Sequence, residues 1–167
     1  VKIGDWFRVV KLLDDTGSAD DKLRARAHVE LGHYYADRGQ DERALAYFSL
    51  AHAYPDVAAA AYRLGNFDTL ADLVSSLPDR DPLLPSIAAQ LVSVGMADEA
   101  AAAYVKAGNV KAAVDACVAL QRWDAAVQLA ASASFAGIGP LLATYADKLL
   151  TQPGGRLKAV ELYRQAG

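Results

Sequence analysis

Three histidines are the first residues in this chain that could bind a metal, and their spacing does not favour it. His28 and His33 are five positions apart, so on a helix they do not share a face as the histidines of a His-x-x-x-His zinc pair do. No glutamate or third ligand lies at a useful spacing from them, and His52 stands alone. We therefore predict no metal site and no cofactor.

Four carboxylates crowd one short stretch, at Asp14, Asp15, Asp20 and Asp21. An EF-hand calcium loop beginning at Asp15 would need glycine at its sixth position and glutamate at its twelfth, but these positions hold Asp20 and Arg26. An aspartate-rich diphosphate site would need a third carboxylate three residues after Asp15, and the sequence has none there. We interpret the stretch as a solvated loop whose acids cap helices.

Two further features resemble chemical sites only locally. Gly137-Ile138-Gly139 follows no strand and has no lysine at the required distance, so it predicts a tight turn between helices and not a phosphate loop. Cys117 lies on an apolar stripe with Ala113 and Ala116, without a nearby histidine in the sequence. That setting favours packing over nucleophilic catalysis. Since no spacing places a serine, histidine and aspartate as a triad, we predict no catalytic residue.

A repeated pattern of apolar residues indicates the elements that position these side chains. Counted from a turn residue, the positions five, six, eight and nine places later are all apolar at seven points, with origins at Gly4, Gly39, Gly65, Gly95, Gly108, Gln121 and Gly154. Offsets of five, eight and nine share a face only on an α-helix. Without Gly108 the origins recur about every 30 residues, slightly less than the roughly 34-residue tetratricopeptide repeat. The pattern predicts an all-α chain, an α-solenoid of tetratricopeptide-like helix–turn–helix repeats.

The same pattern predicts the core between the helices. Its members are apolar residues at repeat positions and two tryptophans beside turns: Trp6, Val9, Leu13, Ala44, Phe48, Leu70, Val74, Ala100, Tyr104, Ala113, Cys117, Trp123, Ala126, Ala159 and Tyr163. We expect the aromatic members to act as core wedges and not as a ligand cage.

Prolines, glycines and first-turn acids divide the chain into helices, and no run of alternating β-branched residues predicts a strand. The predicted helices are Asp5–Asp14, Ala19–Arg38, Asp41–Ala53, Asp56–Leu64, Asp68–Ser76, Leu83–Val94, Asp98–Lys106, Val110–Leu120, Asp124–Ser132, Pro140–Thr151 and Arg156–Gln165. They make about five helical hairpins in one segment, residues 1–167. Because the pattern has no polar capping repeat at either end, we expect an excerpt of a longer chain.

Composition limits the partners and the compartment. A net charge of −3 is too small to indicate nucleic acid or an anionic membrane as partner. The single cysteine excludes an internal disulfide and fits a reducing compartment. The uncharged stretch Ala125–Ala146 has a membrane-like length, but Gly137 to Pro140 would break a helix in its middle. We expect a soluble cytosolic protein without membrane insertion.

Several longer strings are more specific than a generic helical repeat. They are VKIGDWFRVVKLL at Val1–Leu13, YYADRG at Tyr34–Gly39, SLPDRDPLLPSIA at Ser76–Ala88, VGMADEA at Val94–Ala100, KAAVDACVALQRWDAAVQLA at Lys111–Ala130, IGPLLATYADKLL at Ile138–Leu150 and AVELYRQA at Ala159–Ala166. In this order and spacing they resemble the helical region of the WD40/tetratricopeptide subunits of intraflagellar transport complex A. The resemblance spans almost the whole chain.

This resemblance implies a larger protein, with two N-terminal β-propellers before the helical segment and further helical repeats after it. It implies a scaffold in the ciliary complex that supports retrograde transport and the entry of membrane cargo. Its partners would be other complex A subunits and neighbouring copies in a train, in the cytoplasm, the cilium or flagellum and the basal body. The family offers no catalytic residues to carry over.

Two other functions stay open beside a scaffold of the ciliary train. A vesicle-coat solenoid of the coatomer or clathrin type shares the plan of propellers followed by a solenoid. An α-helical enzyme would need convergent polar groups in a pocket, whereas the repeat positions that could supply them are apolar. We prefer the scaffold, because stacked helix pairs leave extended surfaces suited to long protein interfaces.

Overall fold

The structure is a computed structural model that describes residues 3–16, 20–151 and 154–166. Within these residues the chain forms eleven α-helices and no β-strand, which confirms the predicted all-α class of helical repeats. The helices are α1 (Ile3–Thr16), α2 (Asp21–Ala36), α3 (Asp41–Leu50), α4 (Tyr54–Leu64), α5 (Phe67–Ser76), α6 (Leu84–Ser93), α7 (Ala97–Lys106), α8 (Val110–Ala119), α9 (Trp123–Ser132), α10 (Ile138–Leu150) and α11 (Arg156–Ala166).

The helices divide between two compact units, Val1–Ser76 with α1 to α5 and Leu77–Gly167 with α6 to α11. Within each unit every helix packs against the next one along the chain. The connections within each unit are short, as is usual between antiparallel neighbours in helical bundles. The expectation that residues 1–167 form one segment of about five hairpins stays a prediction.

Several helix boundaries differ from those predicted. The sequence pattern predicts that α3 ends at Ala53, whereas the helix ends at Leu50. It predicts that α4 begins at Asp56, whereas the helix begins at Tyr54, just before Pro55. A proline in the first turn has no intrahelical bond to lose, so a helix can begin before it. Gly4 lies inside α1 and not in a turn before it.

The predicted loop Asp15–Ser18 starts too early, because α1 continues to Thr16. Gly17, Ser18 and the predicted first residue of α2, Ala19, lie outside the described residues, as does Pro153.

The other predicted turn residues share one backbone conformation. Their φ angles are all in the left-handed region, at 68° for Gly39, 69° for Gly65, 85° for Gly95, 81° for Gly108, 63° for Gln121 and 84° for Gly154. In every case the next helix begins two residues later. A fixed distance from turn to helix start explains why the apolar quartet recurs at fixed offsets from the turn.

Paired backbone hydrogen bonds hold these turns in place. The Gly108 N–H donates to the Val105 carbonyl at 2.8 Å, and the Asn109 N–H donates to the Tyr104 carbonyl at 2.9 Å. This pairing is the Schellman motif, which satisfies carbonyls that the end of a helix leaves open. The same two bonds recur around Gly39, Gly65, Gly95 and Gln121, and also around His52 and Ser134, which the sequence pattern did not identify as turn residues.

Most of the predicted core residues are buried. In the first unit these are Trp6, Leu13, Ala44, Phe48, Leu70 and Val74, and in the second they are Ala100, Ala113, Cys117, Trp123, Ala126 and Ala159. Val9 and Tyr104 are partly buried. The small members let helices approach closely, and so does Gly32, where a Cβ atom would lie 2.5 Å from Cε1 of Phe48.

Tyr163 is not a core residue, although the repeat predicted it as one. It is 40% exposed, and its hydroxyl donates to the carboxylate of Asp147. Two other quartet positions, Leu12 and Val160, are also exposed. The reason is that α1 packs mainly on α2, and α11 packs mainly on α10. A neighbouring helix therefore covers only one face of α1 and of α11.

A left-handed conformation costs a residue with a Cβ atom about 1–2 kcal/mol, and glycine avoids that cost. Gln121→Gly is therefore expected to raise the free energy of unfolding by about 0.5–1 kcal/mol, because the greater freedom of glycine in the unfolded chain offsets part of the gain. Gly108→Ala is expected to lower it by about 1–2 kcal/mol, although a Cβ there would meet no atom closer than 3.7 Å. Urea denaturation followed by circular dichroism measures both changes. Loss of stability in Gln121→Gly would contradict the assigned turn.

Ala126 tests the packing of the second unit, since it is fully buried with Val114, Cys117 and Ala130. Ala126→Phe is expected to overpack this cluster and lower the free energy of unfolding by about 1–3 kcal/mol. Ala131→Phe, at an exposed position of the same helix, is the matched control. Unfolding unchanged by Ala126→Phe would mean that the inward face of α9 is wrongly assigned.

Candidate functional site

The two neighbouring histidines lie on different faces of α2. His28 is buried, and its ring centroid is 6.0 Å from that of Tyr47. His33 is exposed, and its ring meets the ring of Phe48 at 5.1 Å. Across the parts of the chain that the structure describes, no three His, Cys, Asp or Glu side chains come together as a possible metal site.

The surroundings of His28 favour its neutral form. Burial lowers the pKa of its imidazole, the positive charge of Arg24 lowers the pKa further, and Asp14 opposes both effects. Nδ1 of His28 is buried without a hydrogen-bond partner among the described residues. The side chain is thus a neutral packing residue and is not exposed as a general base.

The crowded carboxylates serve helix ends. Asp20 accepts a hydrogen bond of 3.0 Å from the backbone N–H of Leu23 and so caps the start of α2. Arg24 donates to the carbonyl of Leu13 at 3.4 Å and lies 3.5 Å from Asp14, which joins the end of α1 to the start of α2. Two further caps come from asparagines that the sequence pattern did not single out: Asn66 accepts from the N–H of Thr69, and Asn109 from that of Ala112.

Cys117 is a packing residue in the second unit. It is buried beside Val114, Ala126 and Ala130. Burial raises the pKa of its thiol, and the negative charge of Asp98 raises the pKa further. Because the thiolate is the nucleophilic form, a raised pKa disfavours nucleophilic chemistry at this position.

Gly137-Ile138-Gly139 forms the start of α10. Gly137 precedes the helix, and Ile138 and Gly139 are already in its first turn, two residues earlier than the predicted start at Pro140. A Cβ atom at Gly137 would lie 2.6 Å from the ring of Phe135. The glycine is thus explained by close packing of an aromatic ring against the backbone.

A network of polar side chains joins α9, α10 and α11. Lys158 Nζ donates to Asp124 Oδ1 at 2.7 Å and to the Tyr145 hydroxyl at 3.2 Å, and that hydroxyl donates to Asp124 Oδ1 at 3.1 Å. The Tyr145 ring stacks on Trp123 at 5.3 Å with an interplanar angle of 10°. Lys148 Nζ lies 5.2 Å from the Trp123 ring.

The charges in this network stabilise each other. The hydrogen bond from Lys158 lowers the pKa of Asp124, with burial opposing it, and the bond to Asp124 raises the pKa of Lys158. The carboxylate and the ammonium are therefore both held in their charged forms. Exposed ion pairs of this kind are each worth about 0–1 kcal/mol, so the network orients helices more than it stabilises them.

A second ion pair follows the same geometry one repeat earlier. Arg122, just before α9, donates from one nitrogen to both carboxylate oxygens of Asp98 in the first turn of α7, at 3.0 and 3.2 Å. In both pairs an acid in the first turn of one helix meets a base at the start of the second helix after it. The two bases lie 24 and 34 residues from their acids, too far for a sequence pattern to identify them.

The uncharged stretch Ala125–Ala146 is divided between α9 and α10. Among the described residues, no helix combines the length and the apolar character that crossing a bilayer requires.

His28 predicts a pH dependence of stability. Its pKa is lower in the folded state than the unfolded value of about 6.5. Protonation therefore opposes folding: its contribution to stability is complete above about pH 6.5 and is lost as the pH falls toward the folded-state pKa. Wild type is expected to lose stability relative to His28→Phe between pH 7.5 and pH 5.5, with a slope of at most about 1.4 kcal/mol per pH unit.

Urea denaturation at each pH measures this slope. His33→Phe, at the exposed histidine of the same helix, controls for the loss of an imidazole in general. The same pH dependence in wild type and in His28→Phe would contradict the role given to His28.

Among known proteins, the same protein from three mammals is similar to this chain over nearly its whole length. No family model matches it. WD repeat-containing protein 35 of Rattus norvegicus and that of Mus musculus are each 44% identical to it over 167 residues, which are 99% of this chain and 14% of each relative. The protein of the same name from Homo sapiens is 43% identical over the same coverage.

The chain thus spans only 14% of the length of the curated relatives that it matches. Identity at this level over 167 residues reflects common ancestry of the segment. The chain is therefore a relative of WD repeat-containing protein 35 over almost all of its own length, which confirms the family resemblance indicated by its sequence motifs.

Proposed function

We propose that this segment is a scaffold that makes protein–protein contacts within a complex of the intraflagellar transport A type. The observation that carries the proposal is the 44% identity to WD repeat-containing protein 35 over 99% of the chain. The motifs that resemble complex A subunits are spread from Val1 to Ala166, so the likeness includes both units and their connection.

The arrangement of polar groups supports binding in preference to catalysis. The side chains that could take part in catalysis pack in the core or cap helices. His28 and Cys117 are buried, and Asp20 caps α2. Asp124 is bonded to Lys158 and Tyr145. A catalytic site would need a nucleophile, a base and a stabilising donor converging on one open position. We propose that the segment acts through its surfaces and is not an enzyme.

The wider role follows from the same relationship and is also a proposal. In this role the parent protein works in the cilium or flagellum and at the basal body, supports retrograde transport and the entry of membrane cargo, and contacts other complex A subunits. Head-to-tail contacts between neighbouring copies would extend the assembly into a train, because heterologous interfaces that do not close generate filaments.

The test is affinity purification of the tagged parent protein from ciliated cells. The intact protein is expected to recover other complex A subunits. A matched variant, in which this segment is replaced by a flexible linker of the same span, is expected to recover at least about tenfold less, corresponding to roughly 1.4 kcal/mol of binding free energy.

Recovery of no complex A subunit by the intact protein would contradict the proposed complex. Equal recovery by the linker variant would contradict a scaffold role for this segment. Recovery of coatomer or clathrin components in their place would favour a vesicle-coat solenoid.

A further inference from the structure

One edge of the first unit combines exposed apolar side chains with exposed carboxylates. The helices α1 and α3 end at this edge, and α2 and α4 begin there. We call it the acidic–apolar rim and define it by four apolar residues, Leu12, Leu23, Leu50 and Tyr54, and five acidic ones, Asp14, Asp15, Asp20, Asp21 and Asp72. All nine are exposed.

Contacts between the helix ends make the rim continuous. Arg24 joins the end of α1 to the start of α2 through the Leu13 carbonyl and Asp14. Next to it lies a groove between Asp21, Arg24 and Ala25 on one side and Leu50, Ala51 and His52 on the other.

A second groove follows on the far side of the α3–α4 turn. Ser49 and Tyr54 form one wall, and Asp72, Leu73 and Ser76 at the end of α5 form the other, with Val57 between them. Leu50, which is 62% exposed, and Tyr54 therefore stand between two depressions. A helix of another protein can pack on an exposed apolar ridge of this kind and place its side chains in the grooves on either side.

The charge of the rim specifies what would fit it. The rim has five carboxylates, and three bases, Lys11, Lys22 and Arg24, are next to rim residues in the sequence. Arg24 pairs with Asp14, which leaves four carboxylates against two lysines. The surplus is negative, so the rim attracts a basic segment and repels an acidic peptide or an anionic membrane. Apolar anchors flanked by acids suit an amphipathic helix with leucines on one face and lysines or arginines beside them.

We propose that the acidic–apolar rim binds a basic amphipathic helix of a partner protein, with apolar side chains against Leu50 and Tyr54 and basic side chains against Asp15, Asp21 and Asp72. The inference rests on the proposed scaffold function for its biological setting and adds the chemistry of the partner. Helix-in-groove binding uses apolar anchors three, four and seven residues apart, and the two grooves accept such anchors on either side of the α3–α4 turn.

The test uses the 167-residue chain and a fluorescent 18-residue synthetic helix with leucines on one face and lysines on the other. Fluorescence anisotropy is expected to show saturable binding that weakens as salt rises from about 50 to 300 mM, because ions screen the carboxylates. The same peptide with glutamate in place of lysine is expected not to bind.

Two matched pairs of variants locate the binding. The double variant Leu50→Ser, Tyr54→Ser is expected to weaken binding at least about tenfold. Tyr62→Ser removes a tyrosine of nearly equal exposure, 38% against 39% for Tyr54, from outside the rim and is expected to leave binding unchanged. Asp15→Asn with Asp72→Asn is expected to weaken binding and flatten its salt dependence. Asp37→Asn with Glu42→Gln, at the opposite ends of α2 and α3, is expected to do neither.

Circular dichroism of every variant ensures that loss of binding is not loss of fold. Equal binding of the lysine and glutamate peptides, or equal weakening by rim and control variants, would overturn the proposal. Tighter association with vesicles containing phosphatidylserine than with the lysine peptide would also overturn it. Absence of peptide binding in a chain whose parent still recovers complex A subunits would overturn the rim alone and leave the scaffold function standing.

Discussion

The left-handed turn that ends one helix and sets the start of the next is the constraint on which this structure depends. A residue at positive φ lets two backbone N–H groups return to the helix that has just ended, as Gly108 and Asn109 do for α7. The next helix then begins two residues after the turn residue, as α8 does at Val110. The distance from turn to apolar face is thereby fixed, and the side chains five, eight and nine residues later share one face of the helix that follows.

Small side chains allow the helices that the turns position to pack closely. Ala44, Ala100, Ala113 and Ala126 are fully buried at equivalent repeat positions, and Gly32 lets the ring of Phe48 lie against the backbone of α2. Such packing brings helix axes close, and the apolar side chains are buried in the interfaces between helices. The polar residues then remain on the outside, where Asp98 with Arg122 and Asp124 with Lys158 link successive repeats. A molecule built in this way acts through its surfaces, which is why its function is proposed as binding.

The sequence predicted the parts of this fold that depend on local chemistry. Glycine at a repeat origin indicates a left-handed turn directly, except at Gly4, which lies inside α1. The quartets, together with prolines, glycines and first-turn acids, located the eleven helices of the described residues to within a few residues. His52 and Ser134 adopt the same conformation without being glycine, so composition gave no sign of them. Tyr163 was predicted to be buried because a repeat pattern does not show which faces receive a second neighbour. The contact of Lys158 with Asp124 and the groove beside Leu50 depend on residues that only folding brings together.

The most direct measurement of the central claim is amide hydrogen exchange, resolved residue by residue, at the first position after each turn residue. In this structure the N–H groups of Asn109 and Arg122 donate to carbonyls five residues earlier, at 2.9 and 2.8 Å. They should therefore exchange as slowly as amides inside α8 and α9. Rapid exchange at both positions, while the helices on either side stay protected, would mean that the paired bonds are absent and that something else sets the register of the repeats.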